Sequence, residues 1–327
     1  MIIYRNKSTD PYFNLAAEQY LLDTKQGDIF MLWRNERAVI IGKNQNAYSE
    51  LDLDFVEKEN IKVVRRLTGG GAVFHDIGNI NFSFIVSGEE NATLDFVRFT
   101  NPIIEAISEL GVNNVCLSGR NDILIDGKKI SGNAQSCYNN KTLHHGTLLY
   151  SSDLSMLSGA LKVDEEKIKS KGIKSVRNRV SNIKDYLSQD MDTKEFMDYL
   201  ERYISNKNNC EVVDFTDEDI KKIQELADQK YSTWEWNFGK SKEFSTLKRK
   251  RYPFGSVGVN LTLENGIIKQ LKIYGDFFGV SDVSNLEDLL INVKYTKQDV
   301  ESVISDKMLD DCIKGMDVET FLLLLFS

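Results

Sequence analysis

Between residues 79 and 86 the chain alternates strictly. Asn79, Asn81 and Ser83 fall on one side, and Ile80, Phe82, Phe84 and Val86 on the other. This two-residue period predicts a strand with one apolar face. Shorter apolar runs at 29–33 and 38–41, set around a polar turn at Asn35-Glu36, and another at 61–66 predict further strands. Helical signals are interleaved with them. Asp10-Pro11 puts a capping carboxylate before a proline at the first helical position, so residues 12–22 carry a helix. Residues 93–110 read as helical up to Gly111, with Pro102 marking a kink or a break. Two more helices fall at 194–205 and 217–231.

A polar, glycine-containing stretch at 237–242 then leads into the basic run Lys248-Arg249-Lys250-Arg251. Beyond it, 256–263 and 267–274 predict a hairpin turned at Glu264-Asn265-Gly266, followed by helices at 286–290, 297–305 and 318–326. We expect a domain at 1–240, a linker at 241–246 and a small α+β domain at 247–327. At 327 residues the chain has the length of two domains, and 41% hydrophobic residues suffice for sizeable cores. The net charge of −8 gives no support to a nucleic-acid surface. None of the four cysteines (Cys116, Cys137, Cys210, Cys312) sits in a C-x-x-C pair, so free thiols are expected rather than a zinc site. The first six residues lack the apolar core of a signal peptide. The apolar run at 321–326 is far short of the ~20 residues that span a bilayer. The expectation is a soluble, cytoplasmic protein, monomeric by default, with neither membrane nor nucleic acid as partner.

The segment Arg65-Arg66-Leu67-Thr68-Gly69-Gly70-Gly71-Ala72-Val73-Phe74-His75-Asp76 joins two strands through three glycines. Without Cβ atoms, backbone N–H groups can approach a ligand closely, and such a turn can cradle phosphate or carboxylate oxygens. The two arginines would add fixed positive charge for an anion. The same letters also suit a plain turn with two surface arginines. The segment is neither a P-loop nor G-x-G-x-x-G.

Asp126-Gly127, between apolar runs, predicts a two-residue hairpin. Regular pairing sets Ile125 opposite Lys128, Leu124 opposite Lys129 and Asp122 opposite Ser131. Asp122, Leu124, Lys129 and Ser131 then share one face, and Asn121, Ile123, Ile125, Lys128 and Ile130 the other. A lysine and a carboxylate placed this way can hold a nucleotide phosphate with its Mg²⁺. They equally make a surface ion pair worth ~0.5 kcal/mol.

His144 and His145 are adjacent on a predicted strand and so point to opposite faces, which disfavours a joint metal site. One is expected buried and hydrogen-bonded, the other at a pocket edge. His75 reads as structural, and no nucleophilic triad is evident. The basic segment 169–182 fits a loop closing over phosphate or a solvated surface loop.

Together these segments resemble the lipoate–protein ligase family. The resemblance rests on residues 65–79, on Gly119-Arg120-Asn121-Asp122, on Lys129 to Ala134, on His144 to Leu149 and on residues 171–182, in that order. It extends to Ile273-Tyr274-Gly275-Asp276-Phe277-Phe278. It implies an α+β fold: a biotin/lipoate-ligase catalytic domain of mixed β-sheets flanked by helices, plus a small C-terminal accessory domain. It implies ATP and Mg²⁺ as cofactors, lipoate as substrate, and lipoyl-adenylate as intermediate. The carriers implied are the lipoyl domains of 2-oxoacid dehydrogenase E2 subunits and the glycine cleavage H protein. By resemblance, Lys129 is catalytic and contacts both the adenylate phosphate and the lipoyl carbonyl. Arg66, Gly71, Ala72, Val73, Phe74, Asn121 and Asp122 match nucleotide contacts, with Asp122 on the Mg²⁺ side. Arg66, Gly70, Gly71, His75, Lys129 and His145 match lipoate contacts. Residues 171–182 fall where the family covers its adenylate.

Two other readings remain open on sequence. One is an ATP-independent octanoyl- or lipoyl-transferase, for which Cys137 near the hairpin offers a thiol. The other is a non-catalytic relative that binds lipoyl carriers, against which Lys129 and Asp122 speak. A biotin ligase fits less well, its glycine loop having a different arginine pattern.

Overall fold

A computed structural model describes residues 1–88, 94–138, 140–160, 179–239 and 246–326. Among the described residues, eleven strands precede residue 240: β1 (Ile2–Arg5), β2 (Ile29–Arg34), β3 (Ala38–Ile41), β4 (Lys62–Arg65), β5 (Val73–His75), β6 (Asn79–Ser87), β7 (Val115–Ser118), β8 (Asp122–Ile125), β9 (Lys128–Tyr138), β10 (Lys141–Leu149) and β11 (Glu211–Asp214). Three follow it: β12 (Thr246–Tyr252), β13 (Gly255–Glu264) and β14 (Ile267–Gly275).

The main sheet is mixed, in the order β11-β1-β2-β6-β10-β9-β8-β7. A second sheet, β4-β3-β5, carries the glycine turn between β4 and β5. The apolar runs at 29–33 and 38–41 are both strands, but they do not pair with each other. β2 joins the main sheet and β3 the small one. Buried Asn35 sits at the crossing between the two sheets.

The period of β6 holds through the fold. Ile80, Phe82, Phe84 and Val86 face a core shared with Phe99, Ile103 and Phe196. Asn79, Asn81 and Ser83 are buried as well, so their polar atoms need internal partners. The first helix, Pro11–Thr24, is capped by the Asp10 side chain, which accepts from the Tyr12 N–H. The helix Phe96–Glu109 runs through Pro102 unbroken. Proline frees the carbonyl four residues back, and Arg98 at that place is exposed, so water can take the bond.

The hairpin at Asp126-Gly127 forms, with both turn residues at positive φ. Its register slips by one residue: Ile125 pairs Lys128 and Leu124 pairs Lys129, but Ile123 pairs Ser131 and Asp122 pairs Gly132. The bulge lies at Ile130, which buries its side chain with Ile123 and Ile125 in the core. Ser131, expected beside Lys129, is turned to the other face and buried.

Beyond residue 246, the antiparallel sheet β12-β13-β14 packs against the helices Ser284–Leu290, Lys297–Glu301, Asp306–Cys312 and Val318–Phe326. It has its own core, with Val257, Leu271, Phe277, Leu309 and Phe321 among its residues. The run 248–251, read above as part of the approach to a second domain, is the body of β12. Arg251 and Arg249 there face Asp276 and Glu50. The helix Asp306–Cys312 had no sequence reading. Residues 241–245, nearly all of the expected linker, lie outside the described residues, as do residues 161–178.

The two cores meet at the glycine turn. The Gly70 N–H donates to the Phe277 carbonyl at 3.2 Å, and the Gly275 N–H to the Asn44 carbonyl at 2.9 Å. Lys43 pairs with Asp282 at 2.5 Å. Phe278 is buried between the Phe96 ring and the Arg120 guanidinium, the latter 4.3 Å from its centroid.

Candidate active site

The glycine turn opens with two arginines that go separate ways. Arg65 is fully buried, and its guanidinium donates to the carbonyls of Gly42, Lys43, Gln45, Trp236 and Asn237. It staples three segments together and is fully buried, and of the two arginines Arg66 is the one that lines the cleft described below. Arg66, also buried, folds back under the turn. Its Nη2 donates to Gly69 O at 2.6 Å and Gly71 O at 2.8 Å, its Nη1 to Ile40 O, and its Nε to Thr68 Oγ1 at 3.1 Å. Burial pushes both guanidinium pKa values down to about 10, so both stay charged at neutral pH. The turn itself needs glycine. Gly70 has φ +89°, and a Cβ on Gly69 would lie 2.4 Å from the Phe277 carbonyl oxygen. Gly71 has open space where its side chain would be.

This turn walls a solvent-open cleft of about 640 Å³. Leu15, Trp33, Ile40, Ala72, Val73 and Ala134 give it an apolar lining. Arg66, Lys129, Asn121, Asn133, His75 and His145 bring polar groups to it. Of the sequence candidates, Arg66, Gly70, Gly71, Ala72, Val73, His75, Asn121, Lys129 and His145 therefore come together. Phe74 does not line the cleft; its ring joins Val39 and Ile41 in a separate core.

Lys129 and Asp122 pair at 2.7 Å, each side chain 36% exposed. The bulge leaves this pair intact, because Leu124 and Asp122 are two residues apart and so share a face. What it changes is the residue beneath the lysine. Gly132 now stands opposite Asp122, and a Cβ there would meet Lys129 Nζ at 3.0 Å and Cε at 3.2 Å. The main chain of Lys129 is pinned from the other side. Its N–H donates to Arg179 O at 2.7 Å, and its carbonyl accepts from the Ser181 N–H at 3.0 Å. The end of the basic segment 169–182 thus lies against the lysine; its residues up to 178 are outside the described residues. Asn121 and Asn133 clamp each other through side chain to backbone bonds at 2.6 and 3.1 Å.

The histidines differ from expectation. His144 is the buried one, stacked on Phe99 with centroids 4.8 Å apart and on Phe82 at 6.1 Å. Neither of its ring nitrogens has a partner among the described residues. Burial pushes its pKa well below the usual value. The hydrogen-bonded histidine is the one at the cleft: His145 Nδ1 is 2.8 Å from Glu18 Oε1, and its Nε2 is 2.7 Å from Thr68 Oγ1. His75 accepts at Nδ1 from Asn35 Nδ2, 3.0 Å away. The Asn35 oxygen accepts from Asn14, whose amide nitrogen also meets two carbonyls, which fixes both amides. His75, a residue of the cleft wall, therefore carries its proton on Nε2, which is buried without a partner among the described residues. Burial, with Arg66 nearby, lowers its pKa to about 3, so it is neutral.

Sequence reading missed Glu18, Trp33, Thr68, Gly132 and Asn133. One signal for Glu18 existed: it is an acid amid Leu15, Ala16, Ala17 and Leu21 on a helix that buries both flanks.

Residues 10–205 match the lipoyl protein ligase A/B catalytic domain, and residues 241–325 match the bacterial lipoate protein ligase C-terminus. The chain is 42% identical over the full length of both chains to the lipoate–protein ligase LplJ of Bacillus subtilis. Its fold is similar to P. falciparum LipL1 in complex with lipoate (TM-score 0.78, 26% identity, 92% of this chain and 93% of that one). It is also similar to an archaeal bi-partite lipoate protein ligase studied with its E2 lipoyl domain from Thermoplasma acidophilum (TM-score 0.63, 33% identity, 75% and 98% covered). A lipoate-protein ligase A bound with ATP gives a TM-score of 0.60 at 30% identity, covering 73% and 98%. This chain belongs to the lipoate–protein ligase family.

Proposed function

We propose that the cleft runs both half-reactions of lipoate–protein ligation and that Lys129 serves in each. The chain is an ATP-dependent lipoate–protein ligase, as its full-length relative and its lipoate- and ATP-bound structural neighbours support. The observation that carries the residue assignment is the Lys129–Asp122 pair beside a cleft that has an apolar wall and also holds Arg66. First, a lipoate carboxylate oxygen attacks the α-phosphorus of ATP and pyrophosphate leaves. Then the amine of a carrier lysine attacks the adenylate carbonyl, the carbonyl C–O(phosphate) bond breaks, and AMP leaves. Negative charge grows on phosphate oxygens in the first step and on the carbonyl oxygen in the second. A lysine placed between the two stabilises both.

The lipoyl chain is apolar and suits Leu15, Trp33, Ile40, Val73 and Ala134. Its carboxylate is placed near Arg66 and the N–H of Gly71, the Gly70 N–H being taken by the Phe277 carbonyl. Ala72, Val73 and Asn121 contribute to the nucleotide side; Phe74, whose ring lies in a separate core, does not. No group of three or more metal-ligating side chains exists among the described residues. Asp122 would hold the Mg²⁺ ion, a carboxylate being the kind of hard oxygen ligand that ion takes. The ion would supply neutralisation of phosphate charge. The protein acceptors are lipoyl-domain carriers, with E2 subunits and the glycine cleavage H protein as the specific candidates; the archaeal ligase studied with its E2 lipoyl domain supports the first.

Transfer through a Cys137 thioester is disfavoured. Cys137 stands eight positions beyond Lys129 in β9, roughly 26 Å away at about 3.3 Å per residue. It lines a different cavity, with Lys230 and Trp236.

The test is lipoate-dependent ATP–pyrophosphate exchange with Mg²⁺ and no carrier. The wild type should exchange, and Lys129→Ala should lose about 10²–10³ in rate, the usual effect of removing one charge-stabilising group. Exchange by the variant at the wild-type rate would refute the role of Lys129.

A further inference from the structure

A line of buried hydrogen bonds runs from the first helix to the glycine turn. Trp33 Nε1 donates to Ser83 Oγ at 2.9 Å, and Ser83 Oγ donates to Glu18 Oε1 at 2.7 Å. Glu18 Oε1 is also 2.8 Å from His145 Nδ1. A carboxylate only accepts, so Nδ1 carries a proton. At the far end, Arg66 Nε donates to Thr68 Oγ1 at 3.1 Å. Thr68 Oγ1 is 2.7 Å from His145 Nε2, the acceptor available to the hydroxyl proton. Glu18 and Thr68 are fully buried, and His145 is 8% exposed.

The result is a carboxylate–imidazole–hydroxyl line ending on a guanidinium. Its hydroxyl is no nucleophile, since it is sealed from the cleft and already accepts from Arg66. Instead the line does two things for Arg66. It fixes the rotation of the guanidinium, leaving Nη2 aimed at the Gly69 and Gly71 carbonyls. It also sets a buried negative charge facing a buried positive one that has no carboxylate in contact among the described residues. The field of Glu18 favours the charged Arg66 against the desolvation that opposes it.

We propose that Glu18 and Thr68, acting through His145, are positioning residues that hold Arg66 and the glycine turn in the shape that receives the lipoate carboxylate. This rests on the ligase reading given above. Nothing in the line reaches Lys129 or Asp122, so its loss should be felt on the lipoate side more than on the nucleotide side.

Two measurements on the full chain test this separately. The first needs no activity: ¹⁵N NMR of the histidine rings should find His145 protonated at Nδ1 with Nε2 as a bare acceptor. Protonation at Nε2 instead would overturn the proposal, whether or not the protein is a ligase. The second is pyrophosphate exchange with Thr68→Val, Thr68→Ser and Glu18→Gln. Thr68→Val and Glu18→Gln should raise the KM for lipoate about tenfold, the size expected from losing a hydrogen bond tied to a charged group. They should leave the KM for ATP within about twofold, and Thr68→Ser should restore the lipoate KM. A general loosening of the fold would move both KM values and would not be rescued by serine. An unchanged lipoate KM in Thr68→Val, in an enzyme whose wild type exchanges, overturns the proposal and leaves the ligase reading standing. Absence of exchange in the wild type removes that reading, and with it the proposed role of the line.

Discussion

Gly132 decides where Lys129 can rest. The lysine lies across the space a Cβ would fill, 3.0 Å from Nζ and within reach of Asp122. In Gly132→Ala the flexible end of the lysine has to move, which costs the fold little. The expected result is a loss of about tenfold in pyrophosphate exchange, equivalent to about 1.4 kcal/mol in transition-state stabilisation, with the midpoint of thermal unfolding nearly unchanged. Equal losses of activity and stability would show that the glycine serves the backbone alone. A second residue-scale prediction concerns acid. His144 and His75 are buried and neutral, with folded pKa values held below the ordinary one by burial. The unfolded chain takes up their protons below about pH 6.5, while the folded chain does not until far lower, about 3 for His75. Their stabilising contribution is therefore complete above about pH 6.5 and declines as the pH falls, by about 1.4 kcal/mol per unit for each group. His144→Leu removes one share of that decline, and one partnerless polar ring. Urea unfolding at about pH 7 and about pH 5 should show a shallower loss in the variant; the same loss in both would rule out His144 as a source.

At the scale of elements, the bulge in β9 shows how a local rule and a packing demand were reconciled. Regular pairing from the Asp126-Gly127 turn would have placed Ile130 on the face opposite Lys129 and Ser131. The core took Ile130, and the extra residue let Ser131 follow it inward while Gly132 took the position beside the lysine. The hairpin, its turn and the common face of Asp122 and Lys129 were legible in the sequence, because they depend on a two-residue period and a two-residue turn. The bulge was not, since nothing local distinguishes an isoleucine that ends a pairing run from one that continues it. The polar face of β6 was equally legible as a pattern. What that pattern meant was not, because the partners of Ser83 are Trp33 and Glu18, far off in sequence.

At the scale of the whole molecule, the C-terminal unit touches the glycine turn directly. Gly70 bonds to Phe277, and Phe278 inserts between Phe96 and Arg120. Each unit has its own core, so their docking rests on a small set of contacts. Phe278→Ala should undock the C-terminal unit without unfolding either core. Small-angle scattering should report a larger radius of gyration, with circular dichroism unchanged. An unchanged radius would mean that the remaining contacts suffice, among them the Lys43–Asp282 and Arg249–Glu50 pairs, the Arg120 bonds to the Phe254 and Asp276 carbonyls and the two backbone bonds.

The sequence by itself determined the class of fold, most strand and helix positions, and the residues that bring charge to the cleft. Those rest on periods, caps and turn residues, which act between neighbours in the chain. Spacing could not separate adjacent Arg65 and Arg66; the family resemblance singled out Arg66, and tertiary structure added that Arg65 is a staple. Tertiary structure alone decided that His145 rather than His144 is hydrogen-bonded, and that a glutamate in the first helix orders the glycine turn. Each of these depends on what lies across the gap from a side chain. That is set by how sheets and helices stack, through burial and the need to satisfy every buried polar group.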